Sequence, residues 1–297
     1  MPQPVPPPRE EGYTKTTGSP LYWASYGKTG AKKLLFLHGG PGADHCYLLP
    51  QLLHFGEQYD LLFYDQRGGG KSRGDAQAPV TAHTQVDDLA AVIAEFSLSP
   101  PSIIAYSWGA MLSLLYLIES LEGRDLPRPA RLVLLDPAPL TSEYRRRFES
   151  EFARRQKTPE LVTLREELNA SGLRESNPAA YRQRAFELSV AGYFANPRRS
   201  VDLTPFRVVG RVQQSVWESL GDFDLISRMR AVDFPVLVVH GRDDPIPLAS
   251  STGAADKLGA RLIVLDDCGH IPYLESGAAL FNAVDSFLRE TDTIAGT

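Results

Sequence analysis

Short, continuously apolar runs alternate along this chain with longer stretches of helical periodicity. Residues 236–239, for example, read Val-Leu-Val-Val with no polar residue between them. Strands buried on both faces have this composition, and parallel sheets covered by helices contain such strands. The alternation predicts an α/β fold with a mostly parallel central sheet and helices on both faces. The predicted strands are 21–26, 33–38, 61–65, 102–106, 131–136, 235–240 and 261–265, and the predicted helices are 84–96, 108–119, 249–258 and 278–289. The first one or two strands could form an antiparallel hairpin at the edge of the sheet.

Residues 140–230 interrupt this alternation. They contain no convincing apolar strand, are rich in Arg, Glu, Leu and Ala, and carry Asn-Pro pairs at 177–178 and 196–197, which are helix-stop signals. The sequence therefore predicts two domains: a core formed by residues 1–139 and 231–297, and a helical cap formed by residues 140–230. The cap would be inserted after the sixth strand and would cover the carboxyl edge of the sheet.

Ser107 is the candidate nucleophile. The segment 102–110 runs from a predicted strand into a predicted helix, with Ala105 two residues before the serine and Gly109 two residues after it. A sharp strand-to-helix turn of this kind exposes the serine oxygen above the sheet, and it needs small residues at both flanking positions. The alternative interpretation is a serine that only caps the following helix.

A glycine-rich turn follows the predicted strand 33–38 and reads His-Gly-Gly-Pro-Gly over residues 38–42. Such a backbone can point an N–H group at a developing oxyanion. Pro41 has no N–H, so Gly40 or Gly39 is the expected donor. Trp108, directly after the candidate nucleophile, would supply the second N–H.

Asp244 and His270 are the candidate acid and base. Asp244 lies three residues after Gly241, at the end of a predicted buried strand, and His270 follows the last predicted strand. The chain order Ser, Asp, His is the one expected when a nucleophile elbow precedes its partners on later strands. Asp243 and Asp136 are alternative positions for the acid. The imidazole would take the serine proton, and the acid would hold its tautomer.

Taken together, these motifs resemble the prolyl iminopeptidase family of α/β hydrolases. The resemblance rests on residues 38–42, on the segment Asp-Gln-Arg-Gly-Gly-Gly-Lys-Ser at 65–72, and on the surroundings of Ser107, Asp244 and His270. It covers roughly residues 20–138 and 232–290. It implies an α/β-hydrolase fold with a helical cap, and release of an N-terminal residue, often proline, from peptides without a metal or cofactor.

Two features depart from that family. Ala105 stands where the family usually has glycine. The family's cap also carries glutamates that anchor the substrate amine, and one such glutamate is missing before Tyr193. Glu218 and Glu187 are the candidate substitutes, each with the alternative of an ordinary solvated helix glutamate.

Composition narrows the function further. The net charge of −5 gives no support for nucleic-acid binding. We expect no membrane span, because no run of about 18 apolar residues occurs. Two cysteines and a proline-rich start without an apolar stretch indicate a reducing, cytoplasmic compartment. Oligomeric state cannot be read from the sequence. The expected partner is a small peptide or ester. The favoured hypothesis is an iminopeptidase-like aminopeptidase that releases N-terminal proline or small apolar residues through an acyl-enzyme, and the alternatives are a carboxylesterase or lactonase with the same three residues and a non-catalytic binding protein.

Overall fold

A computed structural model describes residues 2–74 and 78–294 of the chain. Its centre is an eight-stranded sheet in the order β1-β2-β4-β3-β5-β6-β7-β8. The strands are β1 Glu10–Tyr13, β2 Tyr22–Gly27, β3 Lys33–Leu37, β4 Asp60–Tyr64, β5 Ser102–Tyr106, β6 Arg131–Leu135, β7 Val236–Gly241 and β8 Arg261–Leu265. From β4 to β8 all neighbouring strands are parallel, whereas β2 runs antiparallel to both β1 and β4. The predicted, mostly parallel sheet is confirmed.

The helices are α1 Ala82–Glu95, α2 Trp108–Leu121, α3 Ser142–Arg155, α4 Pro159–Ala170, α5 Leu173–Ser176, α6 Pro178–Val190, α7 Gly210–Leu220, α8 Leu225–Arg228, α9 Leu248–Leu258, α10 Pro272–Glu275 and α11 Gly277–Ile294. Short 3₁₀ turns lie at Cys46–Leu48, Gln51–Glu57, Ala191–Tyr193 and Pro197–Asp202. In the described part of the chain, no helix combines the length and apolar character that crossing a bilayer requires.

Helices cover both faces of the sheet because successive strand side chains point to opposite faces. Leu35 and Leu37 of β3 pack into one apolar cluster with residues of α1, α2 and α9. Leu34 and Phe36, which alternate with them, join a second cluster with the turn Gln51–Glu57 and α11. The continuous apolar runs of the sequence therefore supply two cores, one on each side of the sheet.

β1 is the strand that the sequence analysis missed. The residues Glu-Glu-Gly-Tyr have no apolar run and are mostly exposed. The strand is fixed by backbone pairing with β2, from Glu10 opposite Ser25 to Tyr13 opposite Tyr22. Of the first two predicted strands, 21–26 lies in the antiparallel part of the sheet as β2, whereas 33–38 is the parallel strand β3, so a hairpin between these two strands does not form.

The segment between β6 and β7 is helical, from α3 to α8, as predicted for residues 140–230. The two Asn-Pro pairs do not only end helices. Asn177 accepts the Ala180 N–H at 3.1 Å and caps α6, with Pro178 in the first turn, and Asn196 caps the turn Pro197–Asp202 in the same manner. Asparagine is a preferred N-cap, and proline is well suited to the first helical position. The division into a core domain and a cap domain stays a prediction.

Candidate active site

Ser107 occupies a sharp turn between β5 and α2, with φ 53° and ψ −115°. A non-glycine residue in such a conformation costs of order 1–3 kcal/mol, so the surroundings must hold it there. The Ser107 N–H donates to the Leu135 carbonyl at 2.9 Å, and its own carbonyl accepts from Ala138 N–H at 3.0 Å. These bonds to β6 and the segment after it fix the strained turn.

The residues flanking Ser107 explain how tightly the turn is packed. A Cβ placed on Gly109 would lie 2.3 Å from the Leu37 carbonyl oxygen, so only glycine fits there. Ala105 lies inside β5, fully buried and paired with Leu37 on one side and Leu134 on the other. Because a methyl group is accommodated there, the departure from glycine at position 105 leaves the turn intact.

Ser107, His270 and Asp244 form one hydrogen-bonded line, although they are far apart in sequence. The His270 Nε2 lies 2.9 Å from the Ser107 Oγ, and its Nδ1 lies 2.7 Å from the Asp244 Oδ2. The imidazole side chain is only 5% exposed and the carboxylate is fully buried. Burial alone would raise the pKa of Asp244, but the adjacent imidazole and the Ile246 N–H hold that pKa below its ordinary value. The carboxylate is therefore charged at neutral pH.

The two alternative acids lie elsewhere. Asp136 is fully buried beside Asp244 and accepts the Gly241 N–H at 2.7 Å. Burial and the charge of Asp244 raise the pKa of Asp136 well above its ordinary value, which favours the neutral form. Asp243 is exposed. Neither makes a hydrogen bond to the His270 side chain among the described residues.

His240 forms a small buried group with Asp136 and Asp244. Its Nδ1 lies 2.9 Å from the Ser251 Oγ, its Nε2 lies 3.2 Å from the Ile246 carbonyl oxygen, and burial lowers its pKa. Its ring nitrogens are therefore engaged with protein groups, and the ring is neutral.

The glycine turn after β3 faces Ser107. A Cβ on Gly39 would come within 2.7 Å of the Ser107 Cβ, which shows how closely the two segments approach. The Gly39 N–H already donates to the Tyr47 hydroxyl at 2.6 Å. Gly40, with φ 62°, lines the cavity above Ser107, and its N–H has no hydrogen-bond partner among the described residues. Of the two predicted donors in this turn, Gly40 is therefore the one left available. The Trp108 N–H begins α2 and has no acceptor within the helix.

Buried polar side chains hold the glycine turn in place. The His38 Nδ1 bonds the Gly39 carbonyl at 2.8 Å, and its Nε2 accepts the Gln66 N–H at 3.0 Å. The Gln66 side chain donates in turn to the His38 carbonyl at 2.8 Å. Asp65, next to it, accepts the Lys71 N–H at 2.9 Å. Hydrogen bonds from the segment after β4 thus hold the glycine turn in position.

The cavity above Ser107 and His270 has a volume of about 290 Å³. Its wall is aromatic and aliphatic, with neutral polar groups and the imidazole of His270. The residues that line it are Gly40, Tyr47, Tyr106, Ser107, Phe186, Ser189, Val190, Tyr193, Leu203, Phe206, Val208, Gln213, His270 and Ile271. The lining residues therefore come both from loops that connect the elements around the sheet and from the segment between β6 and β7.

The two glutamates selected from the sequence do not line this cavity. The Glu187 carboxylate is bound by Gln183 at 3.0 Å and by Arg184 at 2.8 Å. Glu218 lines a different, open cavity and accepts a bond from Gln214 at 2.7 Å. In both cases the carboxylate faces side chains of its own helix, because residues three and four positions earlier lie on the same helix face.

Two residues near the site were missed by the sequence analysis. Tyr47 binds the Gly39 N–H, and Glu275 accepts N–H groups from the His270 loop and from the Ala195 backbone. Neither Tyr47 nor Glu275 lies in a motif with a recognised chemical role, and both act through contacts between distant segments. The available sequence signal was the short distance of Glu275 from His270.

Comparison with known proteins supports the fold and the resemblance. The profile of the alpha/beta hydrolase family matches residues 34–284. The proline iminopeptidase of Lactobacillus delbrueckii subsp. lactis is 24% identical over 87% of this chain and 90% of its own length. The 2-hydroxymuconate semialdehyde hydrolase of Pseudomonas sp. (strain CF600) is 27% identical over 88% of each chain. The crystal structure of a proline iminopeptidase-related protein from Thermus thermophilus superposes with a TM-score of 0.72, at 22% identity, over 94% of this chain and 97% of that one. The α/β-hydrolase fold and the family resemblance predicted from the sequence are confirmed.

Proposed function

Because this chain belongs to the alpha/beta hydrolase family, we propose that it is a serine hydrolase that cleaves small esters through an acyl-enzyme intermediate. The proposed substrate has an apolar, uncharged acyl group. One observation carries the proposal: the hydrogen-bonded line of Ser107, His270 and Asp244 opens into an apolar cavity without a carboxylate in its described wall.

The first chemical step follows from the hydrogen bonds. The charged Asp244 accepts a hydrogen bond from the protonated Nδ1 of His270, which leaves Nε2 unprotonated and able to accept the Ser107 hydroxyl proton. As the Ser107 Oγ attacks the substrate carbonyl, the proton moves to Nε2 and an imidazolium forms beside the buried carboxylate. Asp244 stabilises that charge and holds the ring orientation.

The negative charge on the substrate oxygen would be held by the N–H groups of Gly40 and Trp108. The strained Ser107 turn and the braced glycine turn fix these two donors before the substrate arrives. Preorganised donors of this kind lower the barrier because they need no reorientation as charge develops. The protonated His270 then gives its proton to the leaving group, and a water molecule activated by His270 releases the acid from Ser107.

The nature of the cavity wall favours an uncharged acyl group. A buried ammonium group needs a carboxylate partner to offset its desolvation. No acidic residue is among the described residues that line the cavity, and Glu187 is already paired with Arg184. Tyr47, Phe186 and Phe206 instead offer apolar surface to an acyl chain. In this proposal, the inserted helical segment forms a cap that supplies much of that wall.

The second candidate is a proline iminopeptidase-like aminopeptidase. The names of the relatives favour it, as does the aromatic wall, because aromatic faces attract cations. A cavity of about 290 Å³ also suits a prolyl group. In this case Tyr47, Tyr193 and Phe206 would have to hold the substrate's imino group without help from a carboxylate.

One panel of substrates separates the two candidates. Rates are measured with p-nitrophenyl butyrate, prolyl p-nitroanilide and N-acetylprolyl p-nitroanilide, for the wild type and for Ser107→Ala. We expect fast ester cleavage that is lost in Ser107→Ala, and similar slow rates for the two anilides. Fast cleavage of prolyl anilide beside negligible cleavage of its acetylated form would refute the esterase proposal in favour of the aminopeptidase.

A further inference from the structure

Glu275 joins the loop that carries His270 to the segment between β6 and β7. Its Oε2 accepts the Gly269 N–H at 2.9 Å, directly before His270. Its Oε1 accepts the Ala195 N–H at 2.8 Å, and the Asn196 N–H lies at 3.4 Å from the same oxygen. One carboxylate therefore receives backbone donors from two segments that are far apart in sequence.

The two segments also contact each other directly. The His270 N–H donates to the Tyr193 carbonyl at 2.7 Å. A Cβ on Gly269 would lie 2.3 Å from that carbonyl oxygen and 2.7 Å from the Ala195 nitrogen, so the two backbones touch. The Tyr193 ring lies 5.3 Å from the His270 ring. Movement of either segment would therefore displace the imidazole of the base.

We infer that Glu275 is a positioning residue for His270, because its carboxylate fixes the base-bearing loop against the turn at residues 193–196. This inference rests on the proposed function, in which His270 is the base. Glu275 makes no hydrogen bond to the side chains of Ser107, His270 or Asp244 among the described contacts, so it acts only through the backbone. The ionised form is needed for full effect, since only then do both oxygens serve purely as acceptors.

The pKa of Glu275 lies close to neutral pH, within the range over which the protein can be assayed. Burial raises its pKa to about 7, although three backbone N–H groups and Arg199 oppose the rise. Arg199 faces it from the turn Pro197–Asp202 and donates to the Glu275 carbonyl at 3.1 Å. Protonation turns one acceptor oxygen into a donor that faces backbone N–H groups. The other titratable groups around it are Arg154, Arg155, Asp243, Asp267, Cys268 and, more distantly, Asp136.

The test compares the rate at which a fluorophosphonate labels Ser107 in the wild type and in Glu275→Gln between pH 5.5 and 8.5. The quantity compared at each pH is the wild-type rate divided by the variant rate. We expect a ratio near 1 at pH 5.5, where wild-type Glu275 is protonated, that rises through pH 7 to about tenfold at pH 8.5, since small displacements of a catalytic group are costly. Glu290→Gln, which removes an exposed carboxylate paired with Arg261, is the matched control and should stay at a ratio of 1.

The outcomes are distinguishable. Absence of labelling in the wild type would refute the proposed function itself. Normal labelling with a ratio that does not change with pH would overturn the role of Glu275 while leaving the proposed function intact. If Glu275→Gln does not fold, Glu275→Asp keeps the charge but cannot reach both segments. We then expect slower labelling above pH 7, and a wild-type rate there would equally overturn the inference.

Discussion

The two buried carboxyl groups near His270 give the sharpest prediction about the mechanism. Replacing Asp244 with Asn removes the negative charge 2.7 Å from the His270 Nδ1. At an effective dielectric constant of about 20, a unit charge pair at that distance interacts with about 6 kcal/mol. Since about 1.4 kcal/mol corresponds to a tenfold change in rate, we expect kcat for p-nitrophenyl butyrate to fall by about 10⁴.

Asp136→Asn is the matched comparison, because Asp136 is buried beside Asp244 and its raised pKa favours the neutral form. An amide oxygen can still accept the Gly241 N–H, so we expect kcat to fall by less than about tenfold, which corresponds to less than about 1.4 kcal/mol. Asp243→Asn changes an exposed group and should leave the rate unchanged. Circular dichroism and melting curves check folding of all three variants. A larger loss of kcat in Asp136→Asn than in Asp244→Asn would refute the assignment of the acid.

Three further predictions concern stability and reactivity. Gly109→Ala brings a methyl group to within 2.3 Å of the Leu37 carbonyl oxygen. Urea titration should therefore show a loss of about 2–3 kcal/mol in unfolding free energy. An unchanged midpoint would contradict the tight packing of the turn at Ser107. The folded-state pKa of Glu275 is raised from 4.5 to about 7, so the folded protein binds the proton more tightly, and the stability that this group contributes falls as pH rises from about 4.5 to 7. The fall should amount to about 3 kcal/mol at most and be absent in Glu275→Gln when unfolding is measured at several pH values; a parallel pH dependence in both proteins would count against it. Burial raises the pKa of the Cys268 thiol, so a thiol reagent at pH 8 should modify it only after unfolding, and rapid labelling of the native protein would show that the buried position is wrong.

Much of the fold and the central line of three residues could be predicted from the sequence because each depends on local patterns. The buried strands appear as continuous apolar runs, and Ser107, Asp244 and His270 each follow such a strand. Parallel strands bring their carboxyl ends to one edge of the sheet, so residues at those positions converge whatever their separation along the chain. The geometry agrees with that expectation.

The rest of the fold and of the site could not be predicted, because it depends on contacts between segments that are far apart in sequence. β1 forms through backbone pairing with β2, and Glu275 acts by receiving N–H groups from two distant segments. The positions of Glu187 and Glu218 in the sequence do not show which way their side chains point, and in the fold both carboxylates face side chains of their own helices. Which face a helix of the inserted segment turns toward Ser107 is decided by tertiary packing.

The most direct test of the central claim is site mapping of a fluorophosphonate adduct by intact-protein and peptide mass spectrometry. The account predicts a single adduct on Ser107, formed quickly in the wild type, slowed in His270→Ala and absent in Ser107→Ala. A native, folded protein that forms no adduct, or one that carries it on another residue, would contradict the assignment of Ser107 as nucleophile.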